Sequence, residues 1–331
     1  MTDKQPMIEV SGLSKSYGAI RALEDVTFEV RRGEVLGFLG PNGAGKTTTM
    51  KILTCFIAPT SGSAVVAGYD TGAEPLEVRR RVGYLPENAP LYREMRVHEY
   101  LEFVGRVRGI VANDWKKAFE RVIDICGLES VVEQEIRTLS KGFRQRAGLA
   151  QAMLHDPEIL ILDEPTSGLD PNQIAEIREL IKRLGRERTV VLSTHHLAEV
   201  QATAGRVIII HHGRLVADGS LEQLESQRGG AIHHVVLAEP DGGLDAVRET
   251  LDRIDGVAAV EPGDGAGEGE LVVALRGEGD RDVRADIFRA AVERDWTLLG
   301  LARQQVDLES IFRRLTTEES PRGGEGKEGK D

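Results

Sequence analysis

One stretch of eight residues constrains this chain more than any other. Residues 40–47 read Gly-Pro-Asn-Gly-Ala-Gly-Lys-Thr and match the pattern G-x-x-x-x-G-K-[ST]. The apolar run Val35 to Leu39 before them predicts a buried strand, and the apolar spacing over Thr47 to Phe56 predicts a helix. A tight strand-to-helix turn that happens to contain glycines is the alternative. The order of strand, loop and helix favours a loop that wraps around phosphate groups.

The chemistry of this loop comes from its backbone and from two side chains. Its glycines allow successive N–H groups to turn inward, and the dipole of the following helix favours an anion at that end. Lys46 would reach the β- and γ-phosphates of a nucleotide, and Thr47 would ligate Mg²⁺. The residues expected to bind the triphosphate are Gly40, Pro41, Asn42, Gly43, Ala44, Gly45, Lys46, Thr47 and Thr48.

Two adjacent carboxylates follow another apolar run. Glu158 to Leu162 predicts a buried parallel strand, and Asp163 and Glu164 stand at its C-terminal tip, where open α/β sheets bind ligands. Acids at the end of an apolar strand are costly to desolvate, so a cation or a catalytic duty is the expected compensation. Asp163 fits a Mg²⁺ ligand acting through water, and Glu164 fits a general base for an attacking water.

Three further side chains are expected near the same edge. His195 follows the strand predicted over Thr189 to Ser193 and would bond a γ-phosphate oxygen, although a structural histidine is the alternative. Glu87 follows a short strand that Pro86 ends, and here the alternative is a helix-start acid near the dipole. Tyr17, on a turn before the loop, would stack on a base unless it is an ordinary core or surface tyrosine.

Two more predicted helices begin at polar residues. Ser140 is a natural N-cap or first-turn residue, and with the N–H of Gly142 it would form a second anion-binding helix start. Asp170 caps the next predicted helix, which runs to Leu184. Two phosphate-facing helix starts in one domain suggest one phosphate approached from two sides.

Composition disfavours several classes of protein. The net charge is −12, and residues 231–331 contribute 23 acidic against 13 basic residues. Neither residues 231–331 nor the rest of the chain therefore has the basic face of a nucleic-acid binder, and we expect no nucleic-acid partner. Two cysteines, Cys55 and Cys126, form no disulfide framework or metal set and are expected to be buried and reduced. The chain shows no bilayer-spanning apolar run and no signal sequence, which predicts a soluble cytoplasmic protein.

The organisation predicted along the chain has three parts. A nucleotide-binding domain covers residues 7–228 and contains a helical insert at about 88–138, where apolar residues recur at helical spacing. An acidic α+β domain over 231–316 has the order β-α-β-β-α-β, which suggests a small ferredoxin-like unit, and a short amphipathic helix over 306–316 follows. Residues 318–331 are expected to be disordered.

Taken in order, these motifs resemble those of the ATP-binding cassette (ABC) ATPases, which are P-loop NTPases of α/β fold. The resemblance covers roughly residues 7–225 and consists of an aromatic residue, a Walker A loop, a lid-loop position, a signature, a Walker B strand, a D-loop and a switch histidine. These motifs lie respectively at Tyr17, Gly40 to Thr47, Glu87, Leu139 to Phe143, Ile159 to Glu164, Ser167 to Asp170 and His195. The resemblance implies a homodimer closed head to tail, with ATP between the Walker A loop of one copy and Ser140 with Gly142 of the other.

Two departures from the common family pattern narrow the resemblance. The signature reads Leu-Ser-Lys-Gly-Phe at 139–143 where L-S-G-G-Q is usual, and Glu87 replaces a glutamine but can still meet Mg²⁺ or the attacking water. With these two departures, the chain resembles a subfamily of exporters that includes drug-resistance, sodium, copper-related and gliding-motility ATPases. The resemblance therefore implies an ATPase subunit that docks through its helical insert on a separate membrane permease. It would be peripheral on the cytoplasmic face of the cell membrane.

Two other functions remain open. One is a soluble cassette ATPase that remodels ribosomes or DNA. Ribosome-acting members usually carry two cassettes and DNA-acting members a long coiled coil, whereas this chain has one cassette and no sustained heptads. The other is a module that senses nucleotide without hydrolysing it, and the retained Glu164 argues against that function.

Overall fold

The computed structural model describes residues 6–227, 232–238, 240–263, 267, 269–277 and 281–304. The chain divides into two compact units, Met1–Ser220 and Leu221–Asp331, which are described separately. Three sequence predictions lie outside the described residues: the domain boundary at 228–231, the amphipathic helix over 306–316 and the tail over 318–331. Within the described ranges, no helix has the length and apolar character needed to cross a membrane.

The first unit alternates strands and helices. Its strands are β1 (Pro6–Tyr17), β2 (Ile20–Arg31), β3 (Val35–Leu39), β4 (Ser61–Val66), β5 (Tyr69–Asp70), β6 (Val82–Leu85), β7 (Ile159–Asp163), β8 (Thr189–Thr194), β9 (Arg206–His211) and β10 (Arg214–Gly219). Its helices are α1 (Lys46–Leu53), α2 (Pro75–Arg81), α3 (Val97–Val107), α4 (Ala112–Cys126), α5 (Lys141–Met153), α6 (Pro171–Gly185) and α7 (Leu197–Thr203).

A six-stranded sheet brings the predicted site residues to one edge. Its strand order is β10-β9-β3-β8-β7-β6, in which the strands from β9 to β6 are parallel and β10 is antiparallel to β9. Parallel strands end at the same edge of a sheet, so the segments that follow β3, β6, β7 and β8 emerge together. Those segments contain the loop at 40–47, Glu87, Glu164 and His195.

Two apolar cores cover the two faces of this sheet, and β7 shows the consequence for the sequence. Ile159 and Ile161 belong to one core while Leu160 and Leu162 belong to the other, because successive side chains of a strand point to opposite faces. All five residues of β7 are buried. A strand covered on both faces requires a continuous apolar run, and that run is the signal that predicts this strand.

A second sheet, of strand order β2-β1-β4-β5, is antiparallel and packs on the first core. Phe28 of β2 and Phe38 of β3 join the two sheets, with ring centroids 5.6 Å apart. Strand β1 ends at Tyr17 and β2 begins at Ile20, so a tight turn separates them. The antiparallel layer thereby places the start of β2 close to the loop that follows β3, where the carbonyl oxygen of Ala22 approaches Gly45.

The insert consists of α3 and α4, followed by two short 3-10 turns at Glu129–Val131 and Ile136–Thr138. Helix α3 buries Val97, Tyr100 and Leu101, which are among the positions whose spacing predicts a helix. Helix α4 ends at Cys126, and Gly127 after it adopts the left-handed conformation common after a helix C-terminus. The hydroxyl of Tyr100 donates a hydrogen bond to Gln151 of α5, which ties the insert to the helix that begins at the signature.

The second unit contains α8 (Leu221–Gln227), β11 (Ile232–Ala238), α9 (Gly243–Leu251), β12 (Val257–Pro262), β13 (Glu270–Gly277), α10 (Arg284–Glu293) and β14 (Thr297–Gln304). Its four strands are antiparallel in the order β12-β13-β11-β14. Val235, Leu237 and Leu275 of the sheet form one core with Val247 of α9 and Ile287 of α10. From β11 onward, the element order and the strand order are those of the ferredoxin-like unit that the sequence predicts.

Two details of the sequence prediction are wrong. The helix predicted over 47–56 begins at Lys46 and ends at Leu53, because Cys55 adopts a left-handed conformation (φ 57°) and turns the chain. Phe56, predicted as a buried helical position, is consequently 72% exposed. Cys55 is also only half-buried, whereas Cys126 is buried and its burial raises the pKa of the thiol to about 12.

Candidate functional site

A cavity of about 380 Å³ lies at the edge of the sheet where the parallel strands end. Nine of the residues predicted from the sequence line this cavity. They are Asn42, Gly43, Gly45, Lys46, Thr47, Thr48, Glu87, Glu164 and His195. Two lining residues, Ala22 and Ser167, were not predicted as site residues. The fold therefore gathers groups from five separate segments around one space.

The loop between β3 and α1 owes its shape to a close approach of backbones. Gly45 has φ 111° and is the N-cap of α1. A Cβ atom at Gly45 would lie 2.7 Å from the carbonyl oxygen of Ala22 and 2.7 Å from a methyl group of Leu23. Glycine at this position thus satisfies both the dihedral angle and the space. The N-terminus of an eight-residue helix is thereby aimed at the cavity, where its dipole favours an anion.

Lys46 is buried, and three oxygen atoms surround its ammonium group. It donates hydrogen bonds to the carbonyl oxygens of Gly40 at 2.7 Å and Pro41 at 3.1 Å. Its Nζ atom also lies 3.3 Å from Oε1 of Glu164 in an ion pair that is buried on both sides. The loop carbonyls and the carboxylate therefore satisfy the buried positive charge.

Glu164 adopts a left-handed backbone conformation (φ 49°), which is strained for a residue with a side chain. Its N–H group donates to the carbonyl oxygen and to Oγ of Ser193, both at 3.1 Å. Its Oε2 atom accepts a hydrogen bond from Nδ1 of His195 at 2.9 Å. Because an ionised carboxylate can only accept, this bond places the proton on Nδ1 and leaves Nε2 of His195 for another partner.

Asp163 is buried and has one oxygen satisfied. Its Oδ1 accepts hydrogen bonds from Oγ of Ser193 at 2.5 Å and from Oγ1 of Thr47 at 3.3 Å. Its Oδ2 is buried and has no hydrogen-bond partner among the described residues. This carboxylate oxygen accepts no hydrogen bond, and a threonine hydroxyl lies nearby. Oxygen ligands of this kind suit a hard cation such as Mg²⁺ or a water bound to it.

Eight predicted binding residues do not line this cavity. Gly40, Pro41, Ala44 and Asp163 belong to the same segments as lining residues, and the other four lie outside those segments. Tyr17 is 46% exposed at the end of β1, with Nζ of Lys15 5.3 Å from its ring centroid. Ser140 is the N-cap of α5 and accepts from the N–H of Phe143 at 3.3 Å. Gly142 is buried in the first turn of the same helix. Asp170 is the N-cap of α6 and accepts from the N–H of Gln173 at 2.9 Å.

Three of these four residues lie together. The side chain of Gln173 packs on Gly142, since a Cβ atom there would lie 2.9 Å from Cδ of Gln173. The starts of α5 and α6, which carry Ser140 and Asp170, are therefore neighbours. One copy of the chain thus presents the phosphate-binding loop and the carboxylates in one place and the signature helix start in another.

A second, smaller cavity of about 150 Å³ adjoins the segment after β6. It is lined by Glu87, Asn88, Ala89, Leu91, Arg93, Lys141, Arg144 and Gln145. Glu87 lines both cavities and is the residue they share. This arrangement puts a carboxylate between the phosphate-binding loop and a set of basic side chains at the base of the insert.

Ser193 is the functional residue that the motifs do not reveal. Its hydroxyl donates to Asp163 and accepts from the N–H of Glu164, so it fixes the two acids with respect to each other. The available signal was a polar residue near the end of an otherwise apolar strand. The pairing of β8 with β7 places Ser193 opposite Asp163, and the sequence alone does not show this pairing.

Comparison with known proteins gives a consistent result. The ABC transporter family matches residues 23–167. The linearmycin resistance ATP-binding protein of Bacillus subtilis (strain 168) is 31% identical over 313 residues, which cover 94% of this chain and 98% of that protein. The bacitracin transport ATP-binding protein of Bacillus licheniformis is 38% identical over 223 residues, or 67% of this chain and 72% of that protein. A solved dimeric ATP-binding cassette bound to ADP and Pi in a post-hydrolysis state is 25% identical, covering 65% of this chain and 99% of that one, with a TM-score of 0.60.

The similarity to the linearmycin resistance protein extends over nearly the whole of both chains, so it includes the second unit as well as the cassette. The family match includes the loop at 40–47 and the two carboxylates Asp163 and Glu164 at the end of β7. The family and the P-loop NTPase fold predicted from the motifs are confirmed. The chain belongs to the ABC transporter ATP-binding proteins and is an ATPase.

Proposed function

We propose that this ATPase powers export through a separate membrane permease and that it hydrolyses ATP with Mg²⁺ as a head-to-tail homodimer. The observation that carries the dimer is the separation, within one chain, of Ser140 and Gly142 from the cavity that Lys46 lines. The similarity to proteins named for linearmycin resistance and bacitracin transport supports export. The dimeric form of the solved cassette with ADP and Pi supports the same assembly.

Binding of the triphosphate would change the partners of Lys46. The ammonium group would exchange the carbonyl oxygens of the loop for the β- and γ-phosphate oxygens, which carry more negative charge. The same movement removes the ion-pair partner of Glu164 Oε1. The carboxylate oxygen would then be free to accept a proton from water, so nucleotide binding and activation of the base are coupled.

Hydrolysis would use Glu164 and His195 together. Glu164 takes a proton from the attacking water while the water oxygen bonds to the γ-phosphorus and the bond to the β–γ bridging oxygen breaks. His195, oriented by its Nδ1 bond to Glu164, would donate from Nε2 to a γ-phosphate oxygen, which requires a proton on that nitrogen as well as on Nδ1. Thr47 and Asp163, with Glu87 as a further candidate, would hold Mg²⁺ directly or through water, and that ion would neutralise phosphate charge.

The second copy would complete the phosphate shell. Ser140 and the N–H of Gly142 begin a thirteen-residue helix, so they can supply a hydroxyl, a backbone donor and a helix dipole to the same phosphate from the opposite side. Asp170 begins the neighbouring helix and would meet the partner in the same interface. Tyr17, exposed at the end of β1, would stack on the adenine base.

The permease would dock on the insert and on the smaller cavity. Tyr92 and Phe103 are exposed, with ring centroids 5.4 Å apart, and Val107 on the same helix as Phe103 is 70% exposed. Neighbouring exposed apolar side chains of this kind mark interaction surfaces. Glu87 lies between this region and the phosphates, so it can report the nucleotide state to the permease. A protein with these contacts would be peripheral on the cytoplasmic face of the membrane.

We expect an adjacent reading frame to encode a multi-span membrane protein, and the experiment is co-expression with that protein. We expect co-purification from membranes and an ATPase rate stimulated by that partner. Arg93→Glu, in the smaller cavity, should weaken the association, while Lys182→Glu, exposed on α6 outside the insert, should not. A chain that stays out of the membrane fraction, with an ATPase rate indifferent to the partner, would contradict the exporter function.

A further inference from the structure

Glu199 is a buried carboxylate that no motif and no step above uses. It lies in α7 and is 5% exposed. Its Oε1 accepts a hydrogen bond from Oγ1 of Thr166 at 2.6 Å, and its Oε2 accepts one from Oγ1 of Thr194 at 2.8 Å. Among the described residues it makes no ion pair with a cationic side chain. Two threonine hydroxyls from two different segments therefore satisfy the buried charge.

The two threonines flank the cavity on two of its sides. Thr166 immediately precedes Ser167, and Thr194 immediately precedes His195, and both of those neighbours line the cavity. Both threonines are buried. Because the peptide unit that joins consecutive residues is planar, holding the two threonines also restrains the backbone that leads into Ser167 and into His195.

Glu199 itself rests on a rigid support. Its neighbour Val200 is fully buried and packs on Gly37 of β3, where a Cβ atom would lie 2.5 Å from Cγ1 of Val200. The carbonyl oxygen of Glu199 accepts a hydrogen bond from Oγ1 of Thr203 at 2.5 Å. Helix α7 is thus pressed against the strand that leads into the phosphate-binding loop, and Glu199 extends from that fixed helix.

A carboxylate at this position destabilises the fold unless its contacts compensate for its burial. Burying a charge without a cationic partner is unfavourable, and an apolar side chain in its place would pack without that cost. An apolar side chain would, however, leave two buried hydroxyls without acceptors. Glu199 thus links two segments of the chain through hydrogen bonds, a role that an apolar core residue could not take.

We propose that Glu199 is a positioning residue for ATP hydrolysis, which holds the Ser167 segment and the His195 segment in register around the γ-phosphate. The inference rests on the proposed roles of the cavity residues. In the same way, Ser193 holds Glu164 from the end of β8. Strand β8 and helix α7 together therefore set the positions of the base, the histidine and the loop between β7 and α6.

The test compares kcat with ATP affinity. Glu199→Ala should lower kcat roughly ten- to hundredfold, in the range that a misplaced catalytic group costs. The Kd for ATP, measured with a fluorescent analogue, should change less than about threefold because no phosphate ligand is removed. Glu199→Gln keeps one acceptor and should recover part of the rate. Gln201→Ala, exposed on the same helix, is the matched control and should behave as the unsubstituted protein.

A mutant cycle separates positioning from general stability. In a chain that carries Thr166→Val and Thr194→Val, adding Glu199→Gln should lower kcat by less than about twofold, because the partners are already gone. If Glu199→Ala does not fold, Glu199→Gln and the double valine variant still give this comparison. An unchanged kcat in folded Glu199→Gln and in the double valine variant, or a full additional loss in the combined variant, overturns the proposal. Failure of Glu164→Gln to slow hydrolysis would refute the assignment of the base instead, and it is read separately.

Discussion

At the scale of single residues, the site stores backbone strain and offsets it locally. A left-handed conformation at a residue with a side chain costs about 1–3 kcal/mol. The N–H group of Glu164 has two acceptors on Ser193, and its carboxylate contacts both Lys46 and His195. These contacts offset the strain. The strained conformation is therefore maintained by the same groups that would take part in catalysis.

Glu164→Gln is expected to retain ATP binding while slowing hydrolysis about a hundredfold or more, since an amide cannot accept the proton from water. The measurement is phosphate release under saturating ATP, with ATP affinity determined in parallel. Glu187→Gln, an exposed glutamate after α6, is the matched control and should leave the rate unchanged. Unchanged turnover in Glu164→Gln would show that another group is the base.

His155 predicts a pH dependence of stability. Burial, reinforced by Arg108 and Arg121, lowers the pKa of its ring from 6.5 to about 4, although its Nε2 contact with the carbonyl of Val82 opposes the shift. The unfolded chain then binds this proton more readily than the folded one. The contribution of His155 to stability is complete above pH 6.5 and is lost as the pH falls toward 4.

The corresponding measurement is urea unfolding at pH 7.5 and at pH 5.0. Trp296→Phe leaves Trp115 as the tryptophan that reports on the first unit. In that background, His155→Gln should lose less unfolding free energy between the two pH values than the chain that keeps His155. Equal losses in both chains would mean that His155 does not titrate in this way.

Sequence reasoning reached the residues that belong to short motifs and missed those defined by pairing between strands. The loop at 40–47, Glu164 and His195 are each recognisable next to an apolar run, and the structure brings them to one cavity. Ser193 has only the signal of a polar residue near the end of an apolar strand, and Glu199 has no local signal. Their contacts exist because β8 lies beside β7 and because α7 packs on β3, and neither adjacency can be read from spacing along the chain.

At the scale of elements, a close contact between β3 and α7 supports the site. Gly37 permits it, because any Cβ atom there would overlap Val200 and approach Ala204 at 3.2 Å. The strand prediction for Val35 to Leu39 was correct, but it did not explain the glycine within an apolar run. The explanation is a helix that lies directly on that position.

Gly37→Ala should destabilise the first unit by about 1–3 kcal/mol, because the added methyl group enters a filled core. Chemical unfolding followed by circular dichroism measures the change. The matched control is Gly205→Ala, where nothing lies within 4 Å of the added atom. Adding Val200→Ala to Gly37→Ala should return part of the loss by making room. A destabilisation no larger than that of Gly205→Ala would contradict the packing argument.

At the scale of the whole molecule, the proposed active form needs two copies, since each holds one half of the phosphate shell. In the Glu164→Gln background, ATP with Mg²⁺ should shift the mass measured by light scattering from one chain to two. ADP should not produce the shift, because the γ-phosphate is the group that both copies would contact.

Two further variants make the dimer prediction specific. Ser140→Arg, combined with Glu164→Gln, places a bulky side chain at the start of α5 and should abolish the ATP-dependent dimer while leaving ATP binding to one chain intact. Lys116→Glu in the same background is exposed on the insert and should have no effect. A single-chain mass for Glu164→Gln under every nucleotide condition, with the permease partner included, would refute the proposed mechanism.

The ion pair between Lys46 and Glu164 has a consequence for selectivity among anions. The ammonium group already has three oxygen neighbours, so a newcomer gains only the difference between its own attraction and theirs. We therefore expect inorganic phosphate, which forms few contacts, to displace these neighbours poorly. A polyphosphate tail can engage the loop amides and the lysine at once, so the oxygen neighbours of Lys46 are expected to favour it over simple anions.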